Sequence, residues 1–255
     1  MQIEFPVHYL LTLLLMAARI SAAFVTMPFF GGRQVPALLR LALGMLVSAA
    51  LLPAGAALSV PPPEGLAYVA LLLREVLLGL VIGFLVNLAA QAVQLAAGLL
   101  DVQIGFSFVS TIDPMVGDQS ALLERFYMAL AVLVFLASDA HHLFLQALSR
   151  LFEVVPVGTF EVTGMTAGRV IRLSSALFSA ALGLALPIVG PLLVVDLAMA
   201  VMARAMPQLN VLAVNLPAKM LVGMLLLALA MSVVVGRVTA LMRGAPGTAV
   251  WGLGG

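Results

Sequence analysis

Cysteine is absent from the 255 residues, which excludes a disulfide, a thiolate nucleophile and any cysteine-based metal site. Charge is nearly as scarce. Asp, Glu, Lys and Arg make up 9% of the chain, against about 25% in an ordinary soluble domain. The net charge is +1 and the Lys and Arg residues are scattered, so there is no basic stripe of the kind that binds nucleic acid. What fills the space is apolar: 64% of residues are hydrophobic and the mean hydropathy is +1.21. Apolar runs beyond about 18 residues, long enough to cross a bilayer, recur along almost the whole length. The composition is that of an integral membrane protein with no separate soluble domain.

Six apolar blocks are delimited: Tyr9 to Phe30, Pro36 to Val60, Leu66 to Leu100, Ala121 to Val155, Val170 to Met202, and Leu212 to Val235. Helix-ending stretches separate them, among them "FFGGRQVP", "SVPPPEG" and "VVPVGTFEVTG". The opening "MQIEFPVHYLLTLLLMAARISAAF" carries Glu4 and lacks the early positive charge of a secretory signal, so it reads as a first structural helix. The third and fourth blocks, at about 1.5 Å per residue, would reach about 50 Å, well beyond a hydrocarbon core of about 30 Å. They are therefore kinked or are not simple spans. Asn87, Gln91 and Gln94 share one face of the third block, a face suited to protein or water instead of lipid.

Orientation should follow the bias of Lys and Arg toward cytoplasmic loops, but in a six-span scheme the two sides balance. Arg150, Arg169, Arg172, Arg237 and Arg243 fall on one side, and Arg33, Arg40, Arg125, Arg204 and Lys219 on the other. Such a tie points away from a set of conventional lipid-facing spans.

Ionisable groups inside apolar segments cost at least about 2.5 to 3.5 kcal/mol each at mid-bilayer and so tend to face partners or water. The candidates are Arg19, the adjacent Arg74 and Glu75, Asp139 with His141 and His142, and Asp196 with Arg204. Asp196 and Arg204 lie two helical turns apart, too far to pair within one straight helix, which leaves a partner helix able to satisfy either one. Asp139 and His142 share a helical face, which raises a proton relay or a metal site. Without a further convergent ligand, a polar anchor at a helix end or a subunit contact is the favoured reading, and no metal is assigned.

Two enzymatic readings fail on chemistry. An intramembrane serine protease would present its Ser among small residues, whereas Phe106 and Phe108 flank Ser107. A membrane metalloprotease would need two His at i and i+4 around a Glu, and no such run exists.

One long polar stretch interrupts the middle of the chain: "GFSFVSTIDPMVGDQS", Gly105 to Ser120. Asp113-Pro114 initiates a turn, Gly117 permits positive φ, and Gly98 and Asp101 loosen the approach. Non-helical backbone between long apolar helices is tolerated where protein buries it or where it lines an aqueous cavity. On the residues alone, a loop in or at the mouth of a pore and a surface hairpin are both open.

The stretch from Gly105 through "SDAHHLF" to Gly158, with "LALPIVGPLLVVDLAMAVMARAMPQLNVLAVNLPAKMLVGMLLLAL", closely resembles the R-subunit (FliR) family of the flagellar type III export gate. The resemblance covers nearly the full chain. Its most specific parts are the Asp113-Pro114 loop, the His141-His142 pair and "PQLNVLAVNLPAK" from Pro207 to Lys219; Ala140 and Asn215 stand where Gly is usual.

The resemblance implies an all-α membrane protein of about six long, partly broken hydrophobic helices arranged as hairpins. Residues 1-172 would be P-subunit-like and contain the loop, and 173-255 would form a Q-subunit-like hairpin and tail. One copy would complete a helical channel of P- and Q-type subunits (FliP, FliQ), near an FlhB-type switch subunit, in the inner membrane at the flagellar basal body. Part of the body would project to the periplasmic side, and unfolded export substrates would pass through it. No cofactor and no catalysis are implied. The central loop would be a channel plug formed by Gly105, Phe106, Ser107, Phe108, Val109, Ile112, Asp113, Pro114, Met115, Val116 and Gly117. Arg74, Glu75, Asp139, His141, His142, Asp196, Arg204 and Lys219 would be buried charges or subunit contacts.

The nearest alternative is the equivalent subunit of a virulence-type injectisome. A proton-coupled secondary transporter is a further one, on the expectation that Pro187, Gly190 and Pro191 break a helix just before Asp196.

Overall fold

The computed structural model describes residues 7–27, 35–55, 65–107, 122–160, 164–206 and 211–254. Among these every regular element is a helix: α1 (Val7–Thr26), α2 (Ala37–Gly55), α3 (Leu66–Ile104), α4 (Leu122–Ala137), α5 (Ala140–Val154), α6 (Gly164–Ala205) and α7 (Val211–Gly254). The six apolar blocks thus become seven helices. The fourth block supplies two of them, because the chain breaks at Ser138 and Asp139, where Asp139 turns left-handed with φ 56°. The third block, by contrast, is one unbroken helix of 39 residues, about 59 Å long at helical rise.

Among the described residues, four helices are long and apolar enough to cross a membrane, and up to five if the broken α4 and α5 pair counts as one span. The two longest, α6 with 42 residues and α7 with 44, would run about 63 and 66 Å, roughly twice a hydrocarbon core. The expected break in α6 is not there. The helix continues through Pro187 and Pro191, and its Leu184, Ala185, Ile188 and Leu192 are buried around both. Packing on that face outweighs the two lost backbone hydrogen bonds. The broken helix on which the transporter alternative relied is therefore absent.

The chain divides into two compact units. One comprises Met1–Ala89, Asp139–Ser175 and Arg243–Gly255, the other Ala90–Ser138 and Ala176–Met242, so α3, α6 and α7 each contribute to both.

In the first unit α1 packs on α2 and on the first half of α3. Gly79 and Gly83, one turn apart on α3, let the α1 backbone approach closely: a Cβ on Gly79 would overlap the carbonyl of Arg19, and one on Gly83 the carbonyl of Ala23 and the Thr26 hydroxyl. Small residues spaced by four are how helices in apolar surroundings reach such proximity. Thr26 Oγ1 then donates 3.2 Å across the contact to the Leu80 carbonyl. Leu78, Ile82, Ala147, Leu151, Val155, Phe160 and Val250 form a buried apolar cluster in the same unit.

In the second unit the last turn of α3 lies on α7. Ile104 is fully buried, and its side chain fills the space over Gly223 that a Cβ would occupy.

Candidate functional site

The central loop leaves the described structure after Ser107. Phe108, Val109, Ile112, Asp113, Pro114, Met115, Val116 and Gly117 lie outside the described residues, whereas Gly105, Phe106 and Ser107 are described and half-buried. The loop springs from two roots, the end of α3 and the start of α4.

The first root is the end of α3. Gly105 has φ +103°, and its N–H donates 3.1 Å to the Asp101 carbonyl. This is a glycine stop of the kind that closes many helices, since a side chain resists positive φ. The position is crowded as well: a Cβ on Gly105 would come within 2.7 Å of Leu216 Cδ1 on α7.

The second root is the start of α4, and Asp101 holds it. Its carboxylate is buried at 2% exposure and accepts the backbone N–H of Leu123 at 3.2 Å and of Glu124 at 3.3 Å. These are first-turn amides with no partner inside their own helix. A side chain on α3 therefore caps α4 across a gap of 22 residues in sequence. Glu124 in turn accepts from Gln94 Nε2 at 3.3 Å, and Gly98 leaves room for its carboxylate. The expectation that Asp101 and Gly98 loosen the approach to the loop is thus corrected: both sit inside α3, and they tie it to α4. Of the polar face expected on α3, Gln94 bonds Glu124 while Gln91 is exposed.

A second carboxylate braces the same root. Asp196 on α6 accepts from Gln103 Nε2 at 2.9 Å and from Lys219 Nζ at 2.9 Å. Lys219 is 14% exposed and Asp196 34%. Leu216, Lys219 and Gly223 recur at helical spacing on α7, so one face of that helix meets Gly105, Asp196 and Ile104 in turn. Arg204 is exposed, and the partner of Asp196 is Lys219 of the same chain.

The other charged candidates fall in the first unit. Glu75 is fully buried and pairs with Arg19, also fully buried. Arg19 further donates to the carbonyls of Val155 at 2.8 Å and Pro156 at 3.4 Å, and its guanidinium lies 4.7 Å from the centre of the Phe152 ring. The second Glu75 oxygen accepts the Gly158 N–H at 2.8 Å. Both charges are thus satisfied within the chain. Arg74 is exposed. Asp139, His141 and His142 converge at the start of α5, their ligand atoms all within 4.8 Å of one another.

Gly79 and Gly83 had not been singled out in the sequence, although "GLVIG" was a readable signal for close helix packing. The partnership of Asp101 with α4 had no local signal at all.

The sequence matches the model of a family described as bacterial export proteins, family 1, over residues 10–245. The chain belongs to that family. A flagellar biosynthetic protein FliR from Bacillus subtilis (strain 168) is 36% identical over 226 residues, which is 87% of this chain and 86% of that protein. The FliR of Escherichia coli (strain K12) is 30% identical over 216 residues, 85% of this chain and 82% of its own length. The surface presentation of antigens protein SpaR from Shigella sonnei is 24% identical over 217 residues, 85% and 83% of the two chains. As a member of bacterial export proteins family 1, the chain is a membrane-embedded component of an export apparatus and not an enzyme.

Proposed function

We propose that this chain is the R-type subunit of a flagellar type III export gate. One copy completes a helical channel of P- and Q-type subunits, FliP and FliQ, beside an FlhB-type switch subunit, and unfolded flagellar proteins cross the inner membrane through it. Residues 1-172 correspond to the P-like part and 173-255 to the Q-like hairpin. The greater identity to FliR, 36%, than to SpaR, 24%, supports the flagellar assignment over the injectisome one. Helices of 42 and 44 residues, about twice what a bilayer requires, support a body that stands partly outside the membrane on its periplasmic side.

In this reading Gly105 to Gln119 plugs the channel. The observation that carries it is the anchoring of the loop: Asp101 ties its two roots together and Asp196 braces the first of them. A segment that must seal a pore yet yield to a substrate needs fixed ends and an apolar constriction between them. Phe106, Phe108, Ile112, Met115 and Val116 supply the apolar groups. Arg74 and Arg204, both exposed, are candidates for contacts with neighbouring subunits.

Two experiments test the reading. Purification in mild detergent should recover P- and Q-type subunits in one defined particle; a lone monomer from cells that contain those subunits speaks against the assembly. Deleting Gly105 to Gln119 should leave the particle intact and make the membrane permeable to small ions. A deletion strain that assembles normally and stays tight removes the plug assignment.

A further inference from the structure

The geometry points to a site for a zinc-type divalent transition-metal ion at the start of α5, ligated by Asp139, His141 and His142. Their ligand atoms all lie within 4.8 Å of one another, and His142 Nδ1 stands 3.6 Å from Asp139 Oδ1. Zinc bonds of about 2.0 to 2.2 Å in tetrahedral geometry set neighbouring ligand atoms about 3.4 Å apart. One edge of the required polyhedron is therefore nearly formed.

Two features of the corner favour a ligand role over a capping one. Asp139 occupies the N-cap position of α5, where an Asp side chain ordinarily accepts an N–H from the first turn. Here it makes no such bond, and its carboxylate faces His142. Its backbone is left-handed, with φ 56° and ψ 23°, a conformation that non-glycine residues adopt at some cost. That turn brings the carboxylate beside the two imidazoles, whose rings lie 4.3 Å apart.

Two imidazoles and a carboxylate suit zinc and its borderline neighbours, whereas magnesium and calcium prefer oxygen donors throughout. Three protein ligands are the complement of an open zinc site, with water in the remaining position. The side chains of His142 and Asp139 are 65% and 75% exposed, so they can rotate to close the remaining distance, and water can reach the ion. Binding would hold the corner in its left-handed form.

The test uses the full chain with a tag free of histidine, purified in mild detergent with the subunits it retains, stripped with a chelator and equilibrated with zinc sulfate. The chain has three His in all, which makes His8→Gln the natural control. Elemental analysis should find about one zinc per chain in the unmodified protein and in His8→Gln. His142→Gln and Asp139→Asn should each weaken binding by at least the roughly 10- to 100-fold that loss of a mere supporting group costs. Cobalt substitution should give visible absorption of an N/O-ligated ion. As a readout that needs no variant, zinc should protect His141 and His142 from carbethoxylation. Zinc content unchanged in His142→Gln, no zinc bound, or no protection overturns the site.

Discussion

Arg19 and Glu75, 56 residues apart in sequence, form an ion pair in which neither side chain has any exposed surface. The remaining polar atoms of both are engaged by the turn that follows α5, through Val155, Pro156 and Gly158. A buried pair of this kind is strongly destabilising to break from one side and nearly neutral to replace as a whole.

Arg19→Met or Glu75→Leu alone should therefore cost about 3 to 5 kcal/mol, while the double variant should cost less than either. Unfolding of the full chain in detergent, monitored for all three, checks this. Additive losses in the double variant would show that the two charges are not coupled.

The contact of α1 with α3 depends on the absence of side chains at Gly79 and Gly83. Gly83→Leu should push α1 away and expose Ala23, which is now fully buried. Because the chain has no native Cys, Ala23→Cys can report this cleanly. Its thiol should resist maleimide in the otherwise unchanged chain and react readily when Gly83→Leu is added.

Asp101→Ala should release the first turn of α4. Removing a cap costs about 1 kcal/mol, which corresponds to roughly fivefold faster hydrogen exchange at the freed amides. The increase should be confined to Leu123, Glu124 and their neighbours, with Asp101→Asn giving a smaller change because one acceptor oxygen remains. Exchange that rises uniformly along α4 would contradict a capping role.

Gly105→Val faces two penalties, a backbone at φ +103° and the side chain of Leu216. The first amounts to about 1 to 3 kcal/mol. Adding Leu216→Ala should recover part of the loss, since it removes the contact and leaves the backbone cost in place. Full recovery would mean that the positive φ is unimportant.

Lys219→Met should leave Asp196 with Gln103 alone. At 34% exposure of the carboxylate, solvent screening holds the cost to about 1 kcal/mol or less. A double-mutant cycle with Asp196→Asn, run at low and high salt, should give a coupling that shrinks as salt rises.

The sequence by itself determined that this is an all-helical membrane protein, where its apolar blocks lie, and to which family it belongs. Hydropathy reports the cost of exposing each side chain to water, and that cost is local, so blocks of helical length can be read from it directly. The need of Glu75 and Asp196 for partners was legible for the same reason: a charge in an apolar run is expensive wherever the chain goes. The identity of those partners was not. Arg19 and Lys219 meet their carboxylates only because separate helices bring them together, and no spacing along one helix encodes that.

Tertiary structure also decided the two places where local signals pointed elsewhere. Pro187 and Pro191 were expected to break α6, but the buried face of Ala185, Ile188 and Leu192 keeps the helix continuous. Gly98 and Asp101 read as loop-forming residues, yet one leaves room for Glu124 and the other caps α4. In each case the local preference amounts to a few kcal/mol at most, and contacts with residues distant in sequence exceed it.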